Sequence, residues 1–328
     1  MTRILTSLFL TLMLAACGDS GGPAVSTAAQ APVTGESPVS PQPAFKRVAL
    51  VMKTLTNPFF IEMEKGARRA EKELGVDLQV KTAAQETSIE QQIQIVDDMI
   101  AAKVDAIVIA PGDSQRLVPV LKKALERGIK VVNLDNRLDP AAVAQAALAP
   151  IPFISVDNEQ AAYRAAKFLA ADVAQPTEAA IIEGIRSADN ARQRLAGAKR
   201  AFAEHPAITL VAAESANWKI DEGYAVTKQL FAKHPNVRLI FAANDMMGFG
   251  VLKYLQDTGK SDVKVGSYDA LPEALEEVKA GRLTVTVDQQ AAQQGFQGIA
   301  LALRLLNGDA VAEVLLIDTR LVTSATLK

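Results

Sequence analysis

The side chains best equipped for chemistry in this chain are planar polar groups interleaved with aromatic rings. Lys53, Asn57, Phe59 and Phe60 crowd one segment, and Asp135, Asn136 and Arg137 another. Arg192, Trp218, Asn244-Asp245, Asp269 and Gln289 follow at intervals. An Asp, Asn, Arg or Gln head has paired donors or acceptors, so each can bridge two neighbouring hydroxyls. Aromatic faces accept apolar C–H surface. That mixture suits a sugar and does not suit bond-making. No nucleophile has a plausible base, so no enzyme is expected. His205 and His234 both precede proline and are too few and too far apart for a metal cluster. Gly248-Phe249-Gly250 falls inside a helical pattern rather than after a strand, so it is no dinucleotide fingerprint. No cofactor is expected.

Each of these residues also has a plainer reading. Lys53 alone fits a solvated strand-end lysine, and Phe59 and Phe60 fit core positions or a hydrophobic staple. Trp218 fits a loop anchor. Asp135, Asp269 and Asn244-Asp245 fit caps of the helices that follow them. Arg137 and Arg194 read as structural or salt-bridged. The binding reading rests on their joint placement.

The elements supply that placement. Arg47 to Lys53 is an apolar β-rich run, and Pro58 to Leu74 carries Phe60, Met63, Ala67, Ala70 and Leu74 at helical spacing, with Gly75 as C-cap. Leu78 to Val80 reads as a strand, Ser88 as the cap of a helix carrying Ile89, Ile93, Val96 and Ile100, and Asp105 to Ala110 as a buried strand. Leu117 to Leu125 is helical, and Lys130 to Leu134 a strand. The rhythm restarts with strands at Ala179–Glu183, Ile208–Ala212, Arg238–Ala242, Val263–Gly266 and Leu283–Val287. Helices at Ala188–Ala203, Asp221–Phe231, Met246–Gln256, Pro272–Lys279 and Gln293–Leu306 alternate with them. Continuous apolar strands between amphipathic helices predict parallel sheets covered on both faces. Two such series predict two α/β lobes. Open parallel sheets bind ligands beyond the carboxyl ends of their strands, which is where the polar groups above fall.

The amino terminus sets the compartment. Arg3, the apolar run Ile4 to Leu14 and then Leu14-Ala15-Ala16-Cys17 read as an export signal over residues 1–16, too short to span a membrane. Cys17 is the only cysteine among 328 residues, so no disulfide holds the fold. Its setting resembles the lipobox of bacterial lipoproteins, which implies a lipidated Cys17. Residues 18–44 are rich in Gly, Pro, Ser, Thr and Ala and hold no aromatic, so residues 17–45 read as a lipidated Cys and a disordered tether, on the order of 30 Å in reach. The expected location is therefore the periplasmic or extracytoplasmic face, with the membrane reached only through the lipid. A net charge of −2 argues against a nucleic-acid surface.

At its strand ends the chain resembles the ribose-type periplasmic binding proteins of bacterial ABC importers. The segments are Lys53-Thr54-Leu55-Thr56-Asn57-Pro58-Phe59-Phe60, Asn133-Leu134-Asp135, Ala191-Arg192-Gln193-Arg194, Ala216-Asn217-Trp218, Ala243-Asn244-Asp245, Ser267-Tyr268-Asp269 and Thr286-Val287-Asp288-Gln289. They occur in family order over residues 46 to 328. Lys53 and the segment Leu138 to Pro152 look more like the allose-binding branch; the ribose branch has serine at position 53. The resemblance implies ligand contacts from Lys53, Asn57, Phe59, Phe60, Asp135, Arg192, Trp218, Asn244, Asp269 and Gln289, with Asn136 adjoining them. Asn136 stands where allose-binding relatives carry an acidic residue and ribose-binding ones an arginine, which leaves the sugar open. A signalling furanose or a nucleoside remains an alternative ligand.

The resemblance further implies two lobes, residues 46–157 with 290–317 and residues 158–289 with 318–328. The hinge crossings fall near Asp157-Asn158, Gln289-Gln290 and Asp318. It implies a monomer that closes on a monosaccharide and meets an ABC permease in the inner membrane. A chemoreceptor or sensor kinase is the alternative partner. Sugar-responsive repressors share the fold but begin with a DNA-binding segment where this chain begins with an export signal.

Overall fold

The computed structural model describes residues 45–327. The expected signal, Cys17 and the tether up to residue 44 lie outside the described residues. In the first half the chain forms β1 (Lys46–Met52), α1 (Pro58–Leu74), β2 (Val76–Thr82), α2 (Ile89–Ala101), β3 (Ala106–Ile109), α3 (Val118–Glu126), β4 (Lys130–Leu134), α4 (Pro140–Gln145) and β5 (Phe153–Ser155). Next come α5 (Asn158–Ala170), β6 (Thr177–Glu183), α6 (Asp189–Ala203), β7 (Ile208–Ser215), α7 (Ile220–Lys233), β8 (Val237–Ala242), α8 (Asp245–Asp257) and β9 (Lys264–Gly266). The chain ends with α9 (Pro272–Lys279), β10 (Thr286–Asp288), α10 (Ala291–Leu306), β11 (Val314–Leu316) and β12 (Arg320–Val322).

Two parallel sheets organise these elements. The first has the order β11-β5-β4-β3-β1-β2 and the second β7-β6-β8-β9, while β10 and β12 form a small antiparallel pair. In β1, Val48, Leu50 and Met52 join one buried cluster with Phe60 and Met63 of α1. Ala49 and Val51 join the opposite cluster with Val96 of α2 and Leu121 of α3. The period of two sends alternate side chains to opposite faces, and both faces are apolar because both are covered by helices. On the second sheet α5 packs with α6, and α7 with α8.

Local signals place the first helix. Asn57 accepts a hydrogen bond from the Phe59 N–H at 3.1 Å, Pro58 opens α1, and Gly75 ends it in the left-handed region at φ 67°. Ser88, expected to cap α2, makes no side-chain capping bond. The segment after Asp135 folds as α4, where Asp139 caps the backbone of Ala141 and Ala142.

The chain passes between the lobes three times. It leaves β5 in the first sheet for α5, which packs on α6 of the second lobe. It returns after β10 to α10, which packs on α1 and β4. It leaves again after β11, the edge strand beside β5, for β12, which pairs with β10. Where α10 meets α1, the backbones nearly touch: a Cβ on Gly295 would lie 2.0 Å from the Met63 carbonyl oxygen. Among the described residues, no helix is long and apolar enough to cross a membrane.

Candidate functional site

The strand ends of both sheets face one small, closely lined cavity. The first lobe contributes Lys53 after β1, Asn57, Phe59 and Phe60 at the start of α1, Glu86 after β2 and Asp135 after β4. The second contributes Asn190 and Arg194 from α6, Trp218 after β7, Asn244 after β8, Asp269 after β9 and Gln289 after β10.

Two cations organise the polar groups. The Lys53 ammonium lies 2.8 Å from Asp135 Oδ2 and 3.8 Å from Glu86 Oε2. Asn57 Nδ2 donates to Glu86 Oε1 at 2.9 Å, and the ammonium also sits 5.5 Å from the centre of the Phe60 ring. Across the cavity, Arg194 donates to Asn158 Oδ1 and to the Ala243 carbonyl, both at 2.9 Å, and to Gln289 Oε1 at 3.3 Å. Its guanidinium lies 3.7 Å from Asp269 Oδ1 and stacks 3.8 Å above the Tyr268 ring. Gln289 Nε2 completes the group with a 2.6 Å bond to Asp269. One bond joins the two sets across the cleft, from Asn190 Nδ2 to Asp135 Oδ1 at 3.3 Å.

Burial governs the electrostatics. Glu86 is pushed above the usual carboxylate range by burial, against the pull of the Lys53 ammonium and the Asn57 hydrogen bond. Burial likewise holds Asp269 well above that range, opposed by Arg194. Behind them Asp245 is pushed up to about 7 by burial, although Ser267, the Leu271 N–H and Thr286 all donate to it. Burial thus works against carboxylate charge at both Glu86 and Asp269, beside two cations. Both cations are already paired, which leaves no free positive charge for an anionic ligand. Two buried polar atoms in the cavity wall, Asn190 Oδ1 and Trp218 Nε1, have no hydrogen-bond partner among the described residues. One is an acceptor and the other a donor. Asp135 Oδ2 receives the ion pair but no directed hydrogen bond.

Backbone strain concentrates here. Asp135, Trp218 and Asp269 adopt φ of 58°, 68° and 120°, a region that non-glycine residues rarely occupy and that is tolerated where surrounding structure enforces it. Trp218 lies over Gly184, where a Cβ would come within 2.0 Å of the indole. Neither Asp135 nor Asp269 caps a helix; their carboxylates turn to the two cations. Asn57 and Asn244 do both jobs: Asn244 Oδ1 caps α8 through the Met247 N–H at 2.9 Å, while its amide forms part of the cavity wall. Lys53, far from being solvated, is 3% exposed.

Two expected residues lie elsewhere. Arg192 is corrected: its side chain is 47% exposed and bonds to Asp189 and to the Arg186 carbonyl. Two positions further, Arg194 enters the cavity, because residues two apart on a helix differ by about 200° in direction. The buried spacing Ala191, Arg194, Ala198, Ala201 is the signal that identifies Arg194 as the inward arginine. Asn136 is buried but does not line the cavity; its amide donates to the Pro111 carbonyl at 2.9 Å and its oxygen faces Ser114 and the Asn190 N–H. Glu86 and Asn190 complete the lining without having been anticipated. Glu86 follows β2 and is reached by the strand-end rule once that strand is extended to Thr82. Asn190 shares the inward face of α6, one turn before Arg194. Among the described residues, no group of His, Cys, Asp and Glu is arranged to hold a metal ion.

Comparison with known proteins follows the same lines. Residues 48–310 match the family model described as periplasmic binding protein domain. The chain is 41% identical over 279 residues to a D-ribose/D-allose-binding protein of Pseudomonas aeruginosa, covering 84% of this chain and 85% of that one. It is 33% identical to the D-allose-binding periplasmic protein of Escherichia coli, covering 84% of this chain and 91% of that one. Among solved structures, an ABC transporter periplasmic solute-binding protein from Actinobacillus succinogenes with bound D-allose superposes with a TM-score of 0.81 at 40% identity. That match covers 85% of this chain and 98% of the other.

Proposed function

The chain belongs to the periplasmic binding protein domain family, and from that premise we propose that it captures one monosaccharide between its lobes for an ABC importer. The preferred ligand is a hexose of the allose or psicose kind, ahead of ribose. The observation that carries this reading is the cavity's imbalance. Its cations are already paired, burial disfavours the charged forms of Glu86 and Asp269, and among the described residues it retains a buried unpartnered acceptor in Asn190 and a buried unpartnered donor in Trp218. Buried polar atoms without partners are uncommon, and a neutral ligand bearing several hydroxyls satisfies donor and acceptor together. The sugars named for the relatives above point the same way.

In this reading the ligand contacts are Lys53, Asn57, Phe59, Phe60, Glu86, Asp135, Asn190, Arg194, Trp218, Asn244, Asp269 and Gln289. Open and closed forms exchange through the three crossings, and the sugar favours the closed form by touching both lobes. A membrane permease then receives the sugar from the closed form. The protein is held at the membrane by a lipid on Cys17, a reading supported by Leu14-Ala15-Ala16-Cys17; an unmodified Cys17 in mass spectra of membrane-extracted protein would overturn it.

Lys53 decides the sugar. An ammonium is a point charge with three donors, and here it faces two carboxylates and the cavity together. Titration calorimetry of wild type and Lys53→Ser with D-allose, D-psicose and D-ribose tests the assignment. Wild type should bind a hexose at least ~10-fold more tightly than ribose, because a site built for a hydroxyl penalises its absence. Lys53→Ser should narrow that ratio by weakening the hexose. Preference of wild type for ribose, or an unchanged ratio in the variant, rejects the hexose assignment.

A further inference from the structure

The amino end of α6 is capped by residues of the other lobe. A helix leaves its first N–H groups without intrahelical partners, and a Ser, Thr, Asp or Asn just before the helix normally serves them. Here the capping position is Ala188, which has no side-chain acceptor and makes no capping bond. The partners come from the first lobe. Ser114, between β3 and α3, accepts from the Asp189 N–H on its hydroxyl at 2.9 Å. Asn136, just after β4, faces the Asn190 N–H with its amide oxygen at 3.3 Å. The Ser114 N–H in turn donates to the Ser187 carbonyl at 3.2 Å.

These two side chains are aimed at the helix. The Ser114 hydroxyl donates to Asn136 Oδ1 at 3.4 Å, which leaves its lone pairs for Asp189. The Asn136 amide is anchored on the Pro111 carbonyl at 2.9 Å, which turns its oxygen outward. The Ser114 carbonyl is held by the Asp139 N–H at 2.7 Å. Ser114 and Asn136 are both fully buried.

We propose that Ser114 and Asn136 are positioning residues for ligand capture: they complete the cap of α6 only when the lobes close, and so seat Asn190 and Arg194 against the ligand without lining the cavity themselves. The inference rests on the reading of lobe closure around a sugar. When the lobes part, the Asp189 and Asn190 N–H groups turn to water; when they meet, the cap forms. Part of the preference for the closed form is thereby built into the protein and independent of the sugar's identity.

Ser114→Ala deletes one hydroxyl and adds no bulk. It should weaken D-allose binding roughly three- to tenfold by calorimetry, the effect of one hydrogen bond. Stopped-flow Trp218 fluorescence should show faster dissociation with association unchanged. The ratio of D-allose to D-ribose affinity should keep its parent value, in contrast to Lys53→Ser. Asn136→Leu, similar in shape but without an acceptor, should act in the same direction. With D-allose saturating both proteins, amide exchange at Asp189 and Asn190 should be faster in Ser114→Ala than in the parent. Affinity within twofold of the parent overturns the proposal, as does a change confined to association. Equal amide exchange overturns it as well. A parent protein that binds neither sugar would reject the proposed ligand, and small-angle scattering of the sugar-free proteins would then decide the latch: Ser114→Ala should have the larger radius of gyration, and equal radii overturn it.

Discussion

Arg192 and Arg194 are two positions apart and differ in every physical respect. Arg194 is buried, stacked on Tyr268 and bonded to Asn158, Ala243 and Gln289. Arg192 is half in water and bonds to its own helix start. Arg194→Ala leaves Asp269 buried without its cation, a loss of about 1.5–3 kcal/mol or more for hydrogen bonds to charged groups. Affinity for the preferred sugar should fall at least ~10-fold by calorimetry, while Arg192→Ala should stay within about twofold, as expected for an exposed ion pair. Equal effects from the two variants would remove Arg194 from the site. Asp245 gives a second residue-scale test. Its folded pKa of about 7 exceeds the 3.8 of an aspartate in water, so the folded protein binds more protons than the unfolded chain between those limits. Stability from this group is full below the lower limit, declines as pH rises toward about 7, and is flat beyond. Asp269, also raised by burial, adds a slope of the same sign. Asp245→Asn should remove its share, at most about 1.4 kcal/mol per pH unit. Urea midpoints from pH 4.5 to 8 check this, and an identical slope in the variant would refute it.

At the scale of elements, a glycine and a tryptophan form one unit. Gly184 follows β6 directly and provides the space into which the Trp218 indole drops after β7. Gly184→Ala should push the ring toward the cavity, shift its emission and weaken sugar binding at least ~10-fold, within the 1–3 kcal/mol range of overpacking. Unchanged emission and affinity would show that the indole has room to spare. Elements of this kind differ in how plainly the sequence declares them. β3 is an unbroken apolar run, β1 and β4 are largely apolar behind a basic start, and α1 has a cap, a proline and a glycine at its limits, so all four are legible. β5, β11 and β12 have three residues each and are too short to show a period. α5 is hidden for another reason: its buried face is largely alanine, Ala161, Ala162, Ala165 and Ala166, which contrasts weakly with its polar face. Much of the cavity lining was legible because most of its polar groups follow strands. Asn190 and Arg194 were not, because they lie on a helix, where direction rather than position decides what a side chain meets.

The whole molecule is built from discontinuous pieces. The first sheet takes β1 to β5 from one end of the chain and β11 from the other. Its covering layer pairs α1 with α10, so closely that Gly66 and Gly295 each stand where a side chain would strike the opposite backbone. This pairing has a consequence for the order of assembly. The amino-terminal lobe, synthesised first, cannot be the first to finish. Met63, Ala67 and Ala70 lie on the buried face of α1 and stay uncovered until α10 arrives more than two hundred residues later. Contacts of such long sequence separation form slowly. A fragment of residues 45–288 should therefore bind a hydrophobic dye and unfold without a sharp transition, whereas residues 45–328 should unfold cooperatively; a cooperative fragment would contradict this. A nascent chain that holds its first lobe open until its final segment is released stays threadable, the form in which a polypeptide can still pass through a secretion pore.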